Sequence, residues 1–213
     1  MNTRWHDEVL PSGSTEILSE LYNNISLSQF YLAGGTGLAL LLGHRHSHDF
    51  DFFTSELFNE DALLQKTKVL KELSNVSKDE QTLHINLKGI KISFLGYTYP
   101  LIFPIKKYEP ESGISVNIAD ERDIACMKIS AISSRGTKRD FVDLYMAAKF
   151  FNLSDLMKFF IKKFSLTPYN NIHILKSLTY FEDAEAEPMP DMLITLSWDD
   201  VKKFFISEVP SLI

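Results

Sequence analysis

Two aspartates separated by one residue, Asp49 and Asp51, stand in the segment HDFDFF at residues 48–53. In an extended chain alternate side chains share a face, so the two carboxylates point the same way about 7 Å apart. Phe50 and Phe52 turn to the opposite face, where they can pack. Two adjacent carboxylates repel each other and need a counter-charge, most simply a divalent cation. Hard oxygen donors suit Mg²⁺ (or Mn²⁺), which takes one or two carboxylates and completes its shell with water and substrate phosphates. A lone pair of this kind is more often two solvated aspartates on an edge strand, so its surroundings decide its meaning.

Upstream lies Gly34-Gly35-Thr36, at an expected strand-to-helix turn. Glycines permit close backbone approach, and the first N–H groups of a helix can bind an anion. Thr36 is expected to cap a helix over residues 37–42 that stops at Gly43. Arg45 has the guanidinium geometry that suits a phosphate. His44, His46 and His48 alternate and would share a face on extended chain, a weak zinc reading because no second cysteine or spaced histidine pair completes a site.

A second group of charged residues lies between 123 and 148. At 100° per residue Ile124, Lys128, Ala131 and Arg135 fall on one helical stripe. A lysine and an arginine in an apolar stripe need a partner, either a phosphate chain or carboxylates such as Asp49 and Asp51. On the next helix Asp140 and Asp143 flank an apolar face of Phe141, Leu144, Tyr145 and Ala148. Lys138 and Arg139 occupy its first turn, where acids are normally preferred, and so suggest a nearby anion. Lys158, Lys162 and Lys163 read as a solvated basic face, the obvious place for an RNA to touch. Cys126 reads as a small buried apolar residue. The chain contains no G-x-S-x-G, Walker lysine motif or G-x-G-x-x-G, which leaves serine-hydrolase, P-loop and Rossmann chemistry unsupported.

These residues need a scaffold. Patterning predicts a helix at 15–25, a short strand in QFYLAG, a strand in HDFDFFT and an amphipathic helix at 60–73. TLHINL and IKISFLGY form a hairpin across Lys88-Gly89. Pro100, Pro104 and Pro110 mark a crossing segment, followed by a strand-like ISVNI. Asp120 caps a helix ERDIACMKISAIS, and a Ser-Ser-Arg-Gly break leads to KRDFVDLYMAAKFF. Helical segments follow near 153–164 and 169–180, then an acidic loop EDAEAEPMP and a last helix WDDVKKFF. The chain's 213 residues, 45% hydrophobic and 23% charged, suit an ordinary globular protein. Its net charge of −6 gives no protein-wide field for nucleic acid, so any such contact must be local. The single cysteine excludes an internal disulfide and suits a reducing compartment. With a polar N-terminus and no apolar run of membrane-spanning length, the expectation is a cytoplasmic protein with no membrane partner.

The stretch AGGTGLALLLGHRHSHDFDFF, residues 33–53, resembles the first signature of the nucleotidyltransferase superfamily. Together with DIACMKISAISSRGTKRDFVDLYMAA, residues 123–148, it resembles the AbiEii/AbiGii toxin family. The resemblance implies an α+β fold: a small mixed-sheet nucleotidyltransferase core over residues 1–105 and a mainly helical bundle over 106–213 that helps to form the cleft. It implies a Mg-dependent transfer of NMP from an NTP to a tRNA or protein acceptor, and a cognate antitoxin as partner. Asp49 and Asp51 would hold the metal. Gly34, Gly35, Thr36, Arg45, Lys128, Arg135, Lys138 and Arg139 would bind nucleotide, and Lys128 with Asp140 or Asp143 would support the catalytic centre. Many superfamily members carry a third carboxylate on a later strand, where this chain has Ser93. Asp140 or Asp143 would then supply it, or the metal site is minimal, or catalysis is weak. The alternative is a catalytically degenerate member that binds nucleotide or a protein.

Overall fold

The computed structural model describes residues 4–110 and 113–212. Helix α1 (Ser14–Asn24) leads to β1 (Tyr31–Leu32), α2 (Gly34–Leu42), β2 (Phe50–Thr54) and α3 (Glu60–Thr67). A meander follows: β3 (Leu73–Asp79), β4 (Thr82–Leu87) and β5 (Ile90–Gly96). Strands β6 (Lys106–Tyr108) and β7 (Val116–Ile118) precede α4 (Glu121–Ser134), α5 (Lys138–Ala148) and α6 (Leu153–Lys163). The chain continues through α7 (Asn171–Ser177), α8 (Glu182–Glu185) and α9 (Trp198–Glu208).

All seven strands form one mixed sheet in the order β3-β4-β5-β2-β1-β7-β6. β2 runs antiparallel to β1 and parallel to β5, while β1 runs parallel to β7. Period-two patterning gives the sheet two faces. Phe50, Phe52, Leu83, Ile85, Ile92 and Phe94 are buried on one face, where Phe52 stacks on Phe94 and Phe30 meets Phe94 edge-on. Asp51, Phe53, His84, Lys91, Ser93 and Leu95 occupy the other, which is the floor of a cleft. Strands β6 and β7 complete the sheet from residues 106–118. A second apolar core, built on Phe141, Leu144, Leu156, Phe160 and Phe205, fills the space between the later helices. Helix α4 joins the two cores: Ile124 belongs to the first and Ala125 onward to the second.

Several elements depart from what the local pattern predicts. The helix expected at 60–73 stops at Thr67, and residues 73–79 form the edge strand β3. That strand is mostly exposed and carries a bulge between Ser74 and Ser77, so neither alternation nor a β-branched run announces it. Thr36 does not cap α2. The helix begins at Gly34, with Ala33 at the cap position. The acidic loop contains the one-turn α8. The hairpin turn is as expected: Lys88 and Gly89 both have positive φ, the conformation of a type I′ turn. Asp120, Thr137, Asn152 and Ser197 each cap the helix that follows. Lys163 is not part of a solvated basic face. It is fully buried against Asp123 at 2.8 Å and the Pro100 carbonyl at 2.7 Å, pinning the proline-rich crossing to α4 and α6.

Candidate active site

Strand β2 and the turn before α2 meet at the cleft floor. Gly34 has φ +61°, and a Cβ there would lie 3.1 Å from Asp51 Oδ2, so the turn sits directly against the carboxylate. Only glycine combines that left-handed backbone with that approach. A methyl on Gly35 would overlap Arg45 Nη2. Arg45 is buried and doubly bonded to Asp143, so it cannot swing aside. Gly35→Ala is therefore expected to cost about 1–3 kcal/mol, read by urea unfolding; an unchanged midpoint would show that the turn has room. The first N–H groups of α2 have no side-chain cap and open on the cleft, whose volume is about 580 Å³. Thr36 lines the cleft, but its hydroxyl is already engaged. Oγ1 lies 2.7 Å from Ser47 Oγ and donates to the Asp49 carbonyl, tying down the segment that carries Asp49.

Asp49 precedes β2 and is exposed, while Asp51 is half-buried within it. Both line the cleft, and among the described residues neither carboxylate has an ion-pair partner. No cluster of three or more His, Cys, Asp or Glu suited to a metal occurs among the described residues. The chain thus offers two hard oxygen donors. They fit a cation of the Mg²⁺ type that draws its remaining ligands from phosphates and water.

The opposite wall is an ion-pair network centred on Asp143. Its carboxylate accepts from Arg45 Nε at 2.7 Å and Nη2 at 2.9 Å, lies 2.9 Å from His44 Nε2, and pairs with Lys128 Nζ at 2.7 Å. Lys128 also donates to Asp140 at 2.9 Å, and Asp140 accepts from Arg135 at 2.9 Å and Thr137 at 2.7 Å. Burial alone would raise both carboxyls. Lys128 and the arginines outweigh it, holding Asp143 well below the usual carboxylate value and Asp140 below it. Burial likewise opposes the Lys128 charge, but Asp143 and Asp140 prevail and raise its pKa. Three cations face two carboxylates, which leaves one positive charge in excess beside the cleft.

Gly34, Gly35, Thr36, Arg45, Asp49, Asp51, Lys128, Arg135, Arg139 and Asp140 all line this cleft. Asp143 lies behind it, fully buried, and acts on the cleft only through Lys128 and Arg45. Lys138 also lies outside it. The anion that its basic turn called for is the chain's own acidic loop: its N–H donates to Glu187 Oε2 at 2.7 Å, and Nζ donates to the Glu187 carbonyl while lying 5.0 Å from the Trp198 ring. The three histidines do not converge. His44 bonds Asp143, His46 lies 4.0 Å from Asp191, and His48 is exposed. Cys126 is buried in the helical core, and that burial pushes its thiol up to about 12.

Patterning missed His84, Lys91 and Ser47, all of which line the cleft. Alternation along the hairpin is the signal that could have found the first two. In the sheet Asp51 stands opposite Ser93 and Ser93 opposite His84. The position expected to hold a third carboxylate is thus at the floor beside Asp51, filled by a buried serine.

The family model described as nucleotidyl transferase AbiEii toxin of type IV toxin–antitoxin systems matches residues 16–211. An uncharacterized protein of Aquifex aeolicus is 40% identical over 189 residues, covering 85% of this chain and 87% of its own. Two solved structures share the fold. MenT4, a nucleotidyltransferase toxin of Mycobacterium tuberculosis H37Rv, aligns with a TM-score of 0.62 at 15% identity over 94% of this chain and 82% of that one. An H. pylori structure assigned as a nucleotidyltransferase aligns with 0.54 at 17% identity over 97% and 92%. No helix among the described residues is long and apolar enough to cross a membrane. With its two signatures folded into one cleft and nearly its whole length matched, the chain belongs to the AbiEii nucleotidyltransferase toxin family of type IV toxin–antitoxin systems.

Proposed function

We propose that this nucleotidyltransferase moves an NMP group from an NTP to a hydroxyl of an RNA, such as a tRNA, or of a protein, with a divalent cation held by Asp49 and Asp51. The observation that carries this reading is the acid pair, without an ion-pair partner among the described residues, set against the Gly34-Gly35 turn, with Gly34 in near-contact with Asp51. The N–H groups opening α2 bind the outer phosphates, and the guanidinium groups of Arg135 and Arg139 draw the phosphate chain from the other wall. Lys128 and Arg45 add the excess positive charge of their network without leaving it. A cation held by Asp49 and Asp51 would supply neutralisation of the negative charge on the phosphates. Phe53, Leu95, Tyr97 and Met127 give the cleft an apolar lining suited to a nucleobase.

The test is incubation of the protein with each of four α-labelled NTPs, Mg²⁺ or Mn²⁺, and total RNA or total protein. Label transferred to a macromolecule is expected for at least one NTP. Ser93, standing where a third carboxylate would complete the acid set, favours a second reading in which nucleotide binds without transfer. Saturable NTP binding with no transfer to either acceptor pool would establish that second reading in place of the first.

A further inference from the structure

We infer that His84 is a catalytic residue on the acceptor side of the cleft, where its imidazole takes the proton from the attacking hydroxyl. The inference rests on the transfer reaction proposed above. In an in-line displacement the attacking and leaving oxygens lie on opposite sides of the α-phosphorus. The phosphate-binding turn opens α2 and follows β1, which lies on one side of β2. Pyrophosphate therefore departs toward β1, and the acceptor must approach from the other side of Asp51. That side is β5 and then β4, whose facing residues are Ser93 and His84. Strands are spaced about 4.8 Å apart, so Ser93 sits one strand from Asp51 and His84 two, within reach of an oxygen attacking over Ser93.

His84 is built for this rather than for packing. It is half-buried on the cleft face of β4. Its Nδ1 is buried with no hydrogen-bond partner among the described residues, which leaves Nε2 as the nitrogen that meets the cleft. The groups facing it are Lys91 on β5, Asp51 on β2 and the neutral Ser77 on β3, with Arg135 and Arg139 on the far wall. Burial first, then Lys91, lowers its pKa against the opposing pull of Asp51, so the ring is neutral and ready to accept. In the step the acceptor oxygen forms its bond to the α-phosphorus, the bond from that phosphorus to the pyrophosphate oxygen breaks, and the hydroxyl proton passes to Nε2. A serine at position 93 leaves that room free, where a longer acid would fill it.

The experiment measures label transfer by wild type, His84→Gln and His84→Asn, with NTP affinity and melting temperature for each. Transfer by the variants is expected to fall by about 100-fold or more, with NTP affinity within twofold of wild type. The acid limb of the wild-type pH–rate profile should disappear, and added imidazole should restore part of the rate. Wild-type rates and an unaltered profile in the variants would overturn the inference. So would a loss of NTP affinity or of folding in both variants that matched the loss of transfer, since the residue would then be structural. Wild-type protein that transfers no label fails the reading of the whole site and takes the inference with it, whereas transfer by wild type and variants alike fails only the role of His84.

Discussion

Asp51→Asn is expected to reduce nucleotidyl transfer by at least about 10³-fold, because a bound cation contributes several kcal/mol of charge stabilisation and each 1.4 kcal/mol is tenfold in rate. Asparagine matches the aspartate in shape, so the floor of the cleft and its contact with Gly34 persist. What disappears is one of two negative charges that have no direct ion-pair partner among the described residues. For the same reason the substitution should leave the melting temperature unchanged or raise it, since it relieves repulsion from Asp49. A loss of activity without a loss of stability marks a functional residue rather than a structural one. Asp49→Asn should behave alike, though its side chain is more exposed. Transfer above a tenth of wild type in Asp51→Asn would remove this carboxylate from the chemistry.

Asp143→Ala should produce the opposite pattern, a large loss of stability. The substitution strands Arg45, His44 and half of the Lys128 pairing in a buried setting. Breaking a buried pair from one side costs about 3–5 kcal/mol, a large share of the roughly 5–15 kcal/mol that holds a typical protein folded. For a chain of this size that is a melting temperature lower by roughly 10 °C. The pH dependence has a definite sign. Asp143 and Asp140 have lowered folded-state pKa values, so their stabilisation is fully present above the unfolded carboxylate value near 4. It is lost as pH falls from there through the folded values. Wild-type stability should therefore decline below about pH 4, and the curve for Asp143→Ala should be flatter. A change under about 1 kcal/mol in urea unfolding would mean that the network is weaker than its geometry.

The two variants separate residues that look alike in the sequence. Asp51 and Asp143 are both aspartates among aromatic and aliphatic neighbours, and local pattern does not tell them apart. The first has no ion-pair partner among the described residues and stands at the floor of the cleft. The second is fully engaged behind it and keeps Arg45 and Lys128 in place. Lys138 and Arg139 divide in the same way: adjacent in sequence, one is clamped by Glu187 and the other opens on the cleft.

Much of the scaffold follows from local rules. The left-handed Gly43 ends α2, Asp120 and Thr137 start α4 and α5, and the Lys88-Gly89 turn fixes the β4–β5 register. That register alone pairs His84 with Ser93, so this part of the floor was present in the hairpin's sequence. The alternation of Asp51 with Phe50 and Phe52 determined which face of β2 could carry chemistry. Tertiary structure decided which neighbour each charge would find. Asp143 meets Arg45 across 98 positions of chain, Lys163 meets Asp123 across 40, and Asp51 meets Ser93 only because β5 pairs parallel to β2. Periodicity reports which side of an element faces inward, but an ion pair depends on which two inward faces meet. A buried charge is tolerated only where that meeting supplies its partner, whereas Asp49 and Asp51, facing the cleft, have no ion-pair partner among the described residues.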